Sequence, residues 1–273
     1  MKIGDTCESF YAKDDHATGR VRVLGFRDQN AVADGRQVTR EYLSYLARHD
    51  ATARRVARVL AVRFVSDTPS ESLVEAVAAA YLASDTDIPT TLRALVDHEE
   101  FATSAGRKVR TPIEDFVNTY RTLQVTVEPP TDDQKCAAIA ILADCAGMGQ
   151  KPFDWPRPDG FPDADDAWSS SSRMLGSWRV HRNLAGGLRP VVGARYKPSD
   201  YWPGPLPVRF EELVDRLCRL TLAKAVTPRL LATAVAAAGT DPDVIITPTH
   251  VVIERRMPEL LLALLDSPDH MTR

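Results

Sequence analysis

Residues 68–83 read TPSESLVEAVAAAYLA, and this stretch carries the start signals of a helix followed by one apolar helical face. Thr68 offers an N-cap hydroxyl, Pro69 a first-turn proline and Glu71 a capping-box carboxylate, each of which satisfies or spares a free backbone N–H. Apolar residues then recur at i, i+3, i+4, i+7 and i+8, and these are Leu73, Ala76, Val77, Ala80 and Tyr81. This spacing predicts an amphipathic helix that buries one side.

Similar signals recur along the chain. Thr111-Pro112-Ile113-Glu114 repeats the same start, and Phe116 and Tyr120 continue an apolar stripe after it. Further helix starts are predicted at Asp50, with Val56, Leu60 and Phe64 on the apolar face, and at Asp87, Thr131 with Gln134, Asp165, Thr227 and Pro258. Gly147 is predicted to close the third of the threonine-initiated helices as a left-handed C-cap. The sequence therefore predicts a mainly α protein, a multi-helix orthogonal array.

Two kinds of segment interrupt this helical pattern. Thr18 to Gly25 alternates apolar and polar residues through Val21 and Val23, which predicts a short β-hairpin or extended arm. Residues 148–163 contain four prolines, which exclude a helix interior, and a second proline-rich loop surrounds Trp202. We therefore divide the chain, with one shared core expected, into an N-terminal arm (1–33), an N-terminal helical half (34–147), a Pro/Trp-rich crossover (148–164) and a C-terminal helical half (165–273).

Composition excludes several classes of function. The chain has 273 residues, is 44% hydrophobic and has a formal net charge of -3 with no dense basic segment, so a nucleic-acid partner is not expected. No apolar run reaches the roughly 18 residues of a membrane span, and no signal peptide is visible at Met1. The chain as written is thus expected in the cytoplasm and off the membrane, and would be exported if a longer upstream reading frame exists.

The residues that usually bind metals or catalyse reactions do not form a known motif. The six histidines never occur as H-x-x-x-H, the four cysteines form no C-x-x-C pair, and the aspartates from Asp159 to Asp166 miss the calcium-loop spacing. We therefore predict no metal and no cofactor, although a metal site assembled from distant residues stays open. Buried thiols are the expected state of the cysteines.

Short motifs along nearly the whole chain occur in the order found in a known bacterial family. The most specific is Met148-Gly149-Gln150-Lys151-Pro152-Phe153-Asp154-Trp155-Pro156. The others are His49-Asp50-Ala51-Thr52-Ala53-Arg54, Arg63-Phe64-Val65, Ser84-Asp85-Thr86-Asp87-Ile88, His98-Glu99-Glu100-Phe101, Lys108, Pro112, Glu114, Arg121, Pro158-Asp159-Gly160-Phe161-Pro162 and Trp168. The chain thus resembles the family of domain of unknown function 1800 (DUF1800). This resemblance implies a mainly helical fold and supplies no activity.

The resemblance also has departures. Family members are typically much longer and often exported, and this chain looks like their C-terminal half. Where the family has a His-Asp-x-Gly stretch followed by a lysine, this chain has His16-Ala17-Thr18-Gly19 and Val21. Chemistry that depends on that acid and base is therefore not expected here.

Two functional hypotheses follow. The first is a non-catalytic interaction or scaffold module, or a partial product of a longer family member, whose partner is another protein or the absent N-terminal half. It predicts that side chains with shifted pKa values do not cluster. The second is an enzyme or accessory factor that acts on a polysaccharide or another exported polymer. Its weak catalytic candidates are His49, Asp159 and Asp165. Its binding candidates are Trp155, Phe161, Trp168 and Trp202. These aromatic residues equally suit packing of the two loops over the core.

Overall fold

A computed structural model of the chain describes residues 2–3, 9–131 and 136–273. About 55% of the chain is helical and its sheets are short two-stranded pairs, so the predicted mainly α fold is confirmed. The chain divides into two compact units, Met1–Thr103 and Ser104–Arg273, here called unit 1 and unit 2. The boundary between the two units falls inside the segment 34–147, which the sequence predicts to be one helical half. The buried apolar residues form one cluster in each unit.

Unit 1 begins with paired strands and continues as helices. Its elements are β1 Lys2–Ile3, β2 Ser9–Phe10, β3 Val21–Val23, β4 Phe26–Asp28, α1 Arg36–Ala47, α2 Asp50–Phe64, α3 Glu71–Ala83, α4 Ile88–Val96 and α5 Glu99–Ala102. Strands β3 and β4 pair antiparallel with Val21 opposite Asp28, which confirms the predicted hairpin. Helices α2, α3 and α4 pack together.

Unit 2 is helical with three short antiparallel pairings. Its elements are α6 Pro112–Thr122, β5 Thr126–Val127, α7 Ala137–Gly147, α8 Ser171–Ala185, β6 Ala194–Arg195, β7 Val208–Arg209, α9 Phe210–Leu222, α10 Pro228–Ala238, β8 Ile245–Ile246, α11 Met257–Leu265 and α12 Pro268–Met271. Strand β5 pairs with β6 and β7 pairs with β8, while Val109 forms an isolated bridge with Thr272. Helix α8 packs against both α6 and α11, and these contacts build the interior of the unit.

The predicted start signals mark helix starts in several places. Thr111 caps α6 in a complete capping box with Glu114, Asp87 caps α4, and Thr227 caps α10. In each case the side-chain oxygen accepts a hydrogen bond from a first-turn N–H that has no partner inside the helix. Among the described residues, no helix is long and apolar enough to span a membrane.

The start of α3 differs from its prediction by two residues. Ser70, and not Thr68, is the N-cap, and its hydroxyl accepts from the N–H of Leu73 at 3.1 Å. The expected capping-box partner Glu71 instead forms ion pairs with Arg54 and Arg58 of α2. The helix therefore starts two residues later than predicted, with the hydroxyl of Ser70 as its cap.

The buried face of α2 also differs in part from its prediction. Ala53, Ala57 and Ala61 are fully buried, while Phe64 is exposed. Because alanine is small, this face lets α3 approach closely, and the larger apolar residues border the contact instead of forming it. The predicted period of α2 is confirmed, since Val56 and Leu60 pack partly buried against the same cluster, and only the exposed Phe64 differs from the prediction.

The end of α7 is capped two residues later than predicted. Gly147 is the last helical residue, and Gly149, with φ +85°, adopts the left-handed conformation. The N–H of Gly149 donates to Ala146 O at 3.0 Å and the N–H of Gln150 donates to Cys145 O at 3.0 Å. These bonds are those of a Schellman cap, which places the glycine one position beyond the C-cap. The N-cap of α7 is Cys136 and not the predicted Thr131, and the predicted capping-box partner Gln134 lies outside the described residues.

Candidate functional site

Three titratable side chains with shifted pKa values meet in the interior of unit 2. Asp115 lies on α6, His181 on α8 and His270 on α12. The His181 and His270 side chains are 0% exposed, and that of Asp115 is 2% exposed. One ligand-type atom from each of these residues lies within 4.8 Å of the others. We refer to this group as the Asp–His cluster.

His181 lies between two carboxylates. Its Nε2 is 3.0 Å from Asp115 Oδ1 and its Nδ1 is 2.7 Å from Asp266 Oδ1, at the C-cap of α11. A carboxylate can only accept a hydrogen bond, so both ring nitrogens carry protons and the ring is an imidazolium. Burial alone would lower the pKa of His181, but the hydrogen bonds to both carboxylates and their charges raise it to about 9.

Asp115 is held ionised by several partners. Ser177 Oγ donates to its Oδ2 at 2.6 Å, and the guanidinium of Arg173 lies 3.5 Å from the same oxygen. Burial opposes the charge, but the bonds from His181 and Ser177 lower the pKa of Asp115 below its usual value. Two carboxylates, Asp115 and Asp266, thus face two cations, His181 and Arg173. This charge balance is the condition under which buried ions are tolerated.

His270 is the neutral member of the cluster. Its Nε2 is 3.0 Å from Thr119 Oγ1, and its Nδ1 is 3.3 Å from Asn118 Nδ2. Thr119 Oγ1 donates its one proton to Asp115 O at 2.8 Å. It can therefore only accept the hydrogen bond from His270, so the Nε2 atom of His270 is protonated. Burial and the charge of nearby His181 lower the pKa of His270 to about 3.

Because of the cluster, the free energy of unfolding should rise with pH below pH 6.5 and fall with pH above it. The groups facing His181 are Asp115, Asp266, His270 and, on its own helix, Arg173. The pKa of His181 is raised, so its contribution to stability is complete below the ordinary histidine pKa of 6.5 and is lost as the pH rises through about 9. The pKa of His270 is lowered, so its contribution is complete above 6.5 and is lost as the pH falls towards about 3.

We therefore expect the free energy of unfolding of the metal-free protein to be highest near pH 6.5 and to fall towards both pH 9 and pH 3. Urea denaturation in the presence of a chelator measures this profile. In the His181→Asn variant the decrease on the alkaline side should be largely absent. A wild-type profile that stays flat between pH 6.5 and 9 would contradict the assignment of a charged His181.

The chemistry available to the cluster is limited by its burial. None of the described surface clefts is lined by Asp115, His181 or His270, and all three side chains are buried. The arrangement suits charge pairing and cation binding better than acid–base catalysis. The interaction hypothesis predicted that groups with shifted pKa values do not cluster, and that prediction is wrong.

The crossover loop brings three of the predicted binding residues together. The rings of Trp155 and Phe161 lie 4.9 Å apart between centroids, and those of Phe161 and Trp168 lie 6.3 Å apart. The candidate Asp159 accepts a hydrogen bond from the indole N–H of Trp155 at 2.8 Å. Trp168 is buried and donates to Pro162 O at 2.8 Å. These contacts form the loop's own small core.

The other predicted residues occupy separate places. Trp202 is buried in the main core of unit 2. Asp165 lies 3.9 Å from Nζ of buried Lys108. His49 belongs to unit 1, where it caps α2 by accepting from the N–H of Ala51 at 3.1 Å and borders a surface cleft. A role of any of them in catalysis or ligand binding stays a prediction.

Sequence reasoning missed the Asp–His cluster because its members lie far apart along the chain. One signal was present: Arg173, Ser177 and His181 recur every four residues on α8, so they share a face. The structure buries all three next to Val180 and Leu184. This spacing shows that the three polar residues share a face, but an exposed amphipathic helix has the same pattern, so the sequence does not reveal that the face is buried.

These features define a mainly α-helical protein whose second unit encloses a charge-balanced Asp–His cluster and carries a firmly attached Pro/Trp loop. The chain belongs to the DUF1800 family, "Protein of unknown function (DUF1800)", whose family model matches residues 2–272. The family assignment made from the motifs is thus confirmed. No curated protein and no solved structure matches the chain.

Proposed function

We propose that this chain is a non-catalytic interaction module that binds a partner protein through its crossover loop, residues 148–163, with Phe153 as the anchor. The observation that carries the proposal is the state of Phe153: its relative exposure is 104%, and its backbone has φ +62°. Phe153 belongs to the motif string that best supports the family resemblance.

Both properties of Phe153 oppose folding. A left-handed conformation costs a bulky residue roughly 1–2 kcal/mol, and an exposed ring forgoes about 1.5–3 kcal/mol of burial. No ring contact of Phe153 with another described aromatic side chain compensates for this. Strained, exposed side chains of this kind concentrate at binding sites, where a partner supplies the missing burial.

The loop around Phe153 is held in place before any partner binds. Lys108 Nζ donates to Asp163 O at 2.9 Å, and the side chain of Gln150 accepts from the N–H of Ile113 at 2.9 Å. These two bonds fix both ends of the loop to the segment that leads into α6. Because the loop is already ordered, little conformational entropy is lost on binding.

The surroundings of Phe153 favour a protein partner with an apolar pocket. Lys151 and Asp154 form an ion pair at 3.3 Å beside it, so charges of both signs border the ring and no single-sign field selects a polyanion. A polysaccharide that stacks on the predicted residue Trp155 would need a free face of that ring. The ring of Trp155 instead contacts Phe161, and the guanidinium of Arg157 lies 5.6 Å from its centroid.

The Phe153→Ala and Phe153→Gly variants are expected to lose binding without losing stability. A buried aromatic anchor typically contributes about 2 kcal/mol or more, so the partner's affinity should fall at least about 10-fold. Glycine removes the left-handed strain, so the urea midpoint of Phe153→Gly should be no lower than that of the wild type. To find the partner, a photo-crosslinking phenylalanine analogue at position 153 is activated in cells, and the crosslinked protein is then expressed for titration by calorimetry.

The matched control is Leu175→Ala, which removes a side chain with 62% exposure elsewhere on unit 2 and should leave the affinity unchanged. Equal affinity of Phe153→Ala and wild type for the crosslinked protein would overturn the proposal. Saturable binding of a soluble polysaccharide that is lost in Trp155→Ala but kept in Phe153→Ala would support the enzyme or accessory-factor hypothesis instead.

A further inference from the structure

We propose that the Asp–His cluster of unit 2 is a binding site for a divalent transition-metal ion such as Zn²⁺, with Asp115, His181 and His270 as ligands. Asp115 Oδ1 lies 3.0 Å from His181 Nε2 and 3.7 Å from His270 Nε2. Zinc binds imidazole nitrogen and carboxylate oxygen at about 2.0–2.2 Å, which puts tetrahedral ligand atoms roughly 3.3–3.5 Å apart. These two separations bracket this value, and all three ligand atoms lie within 4.8 Å of one another.

Two of the ligands, His181 and Asp115, already have the outer hydrogen bonds that a metal site needs. His181 presents Nε2 to the cluster and directs Nδ1 at Asp266 Oδ1, 2.7 Å away, which is the carboxylate–histidine–metal arrangement. Ser177 holds the second oxygen of Asp115, and Asn118 lies against Nδ1 of His270. The hydrogen bonds with Asp266 and Ser177 fix the orientation of His181 and Asp115.

The protons balance when a metal ion enters, while the charge of the cluster rises by one unit because a divalent ion replaces one proton. The ion takes the place of the proton on His181 Nε2, and that proton leaves to solvent. His270 shifts its proton from Nε2 to Nδ1, where the amide of Asn118 turns its oxygen to accept it. One proton per chain is therefore released. Asp115 and Asp266 together neutralise the charge of a divalent ion.

Arg110 and Arg173 both oppose this occupant. The charge of Arg110 acts on both Asp115 and His270, and its Nε donates to His270 O at 2.8 Å. The guanidinium of Arg173 lies 3.5 Å from Asp115 Oδ2, the oxygen that does not face the imidazoles. Its NH2 also donates to Arg110 O at 2.7 Å, which directs it to the backbone at the start of α6. The carboxylate thus separates the guanidinium from the metal position, and three protein ligands leave a fourth position for water.

The test uses the full-length wild-type chain, stripped with a chelator and titrated with Co²⁺ at neutral pH. We expect one Co²⁺ per chain with the visible absorption of a four-coordinate ion, displacement by Zn²⁺, and release of one proton per ion. Asp266→Asn keeps all three ligands and should weaken Co²⁺ binding about 10–100-fold. His270→Gln should abolish it.

The matched control is His250→Gln, because His250 lies in the same unit but its Nδ1 caps a helical turn by accepting from the N–H of Val252. This variant should bind Co²⁺ as the wild type does. If His270→Gln does not fold, the wild-type stoichiometry and the Asp266→Asn affinity still decide the matter. Wild-type protein that binds no stoichiometric Co²⁺ or Zn²⁺, or wild-type affinity in Asp266→Asn, would show that the cluster is a metal-independent ion-pair network.

Discussion

Replacing Asp115 with alanine is expected to lower the free energy of unfolding of unit 2 by about 3–5 kcal/mol, a large part of the stability of a typical domain. The change leaves the imidazolium of His181 with one carboxylate in place of two. It also leaves Arg173 and the Ser177 hydroxyl buried without the oxygen that they contact. The cost arises mainly from the cations left uncompensated, because charges cannot be rehydrated inside the unit.

Asp266→Ala is the matched control for this prediction. Asp266 contacts the other nitrogen of His181 at 2.7 Å, but its side chain is 29% exposed, so water can replace the lost oxygen. We expect a loss of about 1–2 kcal/mol. All four tryptophans lie between Trp155 and Trp202, in unit 2, so tryptophan fluorescence during urea denaturation reports on this unit alone. Equal losses in Asp115→Ala and Asp266→Ala would contradict the proposed role of burial.

Local signals predicted much of the fold. Helix starts at Asp87, Thr111 and Thr227 were assigned correctly because a cap is formed by residues three or four positions apart. Local spacing predicts Thr68 as the cap of α3 in place of Ser70, because Glu71 stands three residues after Thr68. In the structure Glu71 instead forms ion pairs with arginines of α2, which the local sequence does not reveal. Where a residue has two partners to choose from, local sequence does not decide between them.

The candidate site was less predictable than the fold. Phe153 stands out in the sequence only as part of a motif, since nothing in the sequence tells an exposed phenylalanine from a buried one. The Asp–His cluster joins α6, α8 and α12, and no local spacing links Asp115 to His270. Only the polar stripe on α8 is visible in the sequence, and its spacing does not tell whether that face is buried or exposed.

The start of α6 connects the two features of unit 2 that we consider functional. Gln150, shortly after the end of α7, accepts from the N–H of Ile113 in α6, and Arg173 donates to Arg110 O just before α6. Asp115 follows one turn later. The loop that presents Phe153 and the Asp–His cluster therefore share one scaffold, so loss of the cluster should also displace the loop.

Replacing Leu217 with alanine is expected to destabilise unit 2 by about 2–5 kcal/mol, while the same change at Leu220 should alter stability by about 0.5 kcal/mol or less. Both leucines lie on α9, but Leu217 is 0% exposed and Leu220 is 54% exposed. Alanine is the better helix former, so helix propensity favours both variants slightly and leaves burial as the difference between them. At Leu217 the lost contacts with the core and the cavity left behind both destabilise the unit. Urea denaturation followed by tryptophan fluorescence compares the pair directly, and similar losses in both variants would mean that α9 does not bury the face described here.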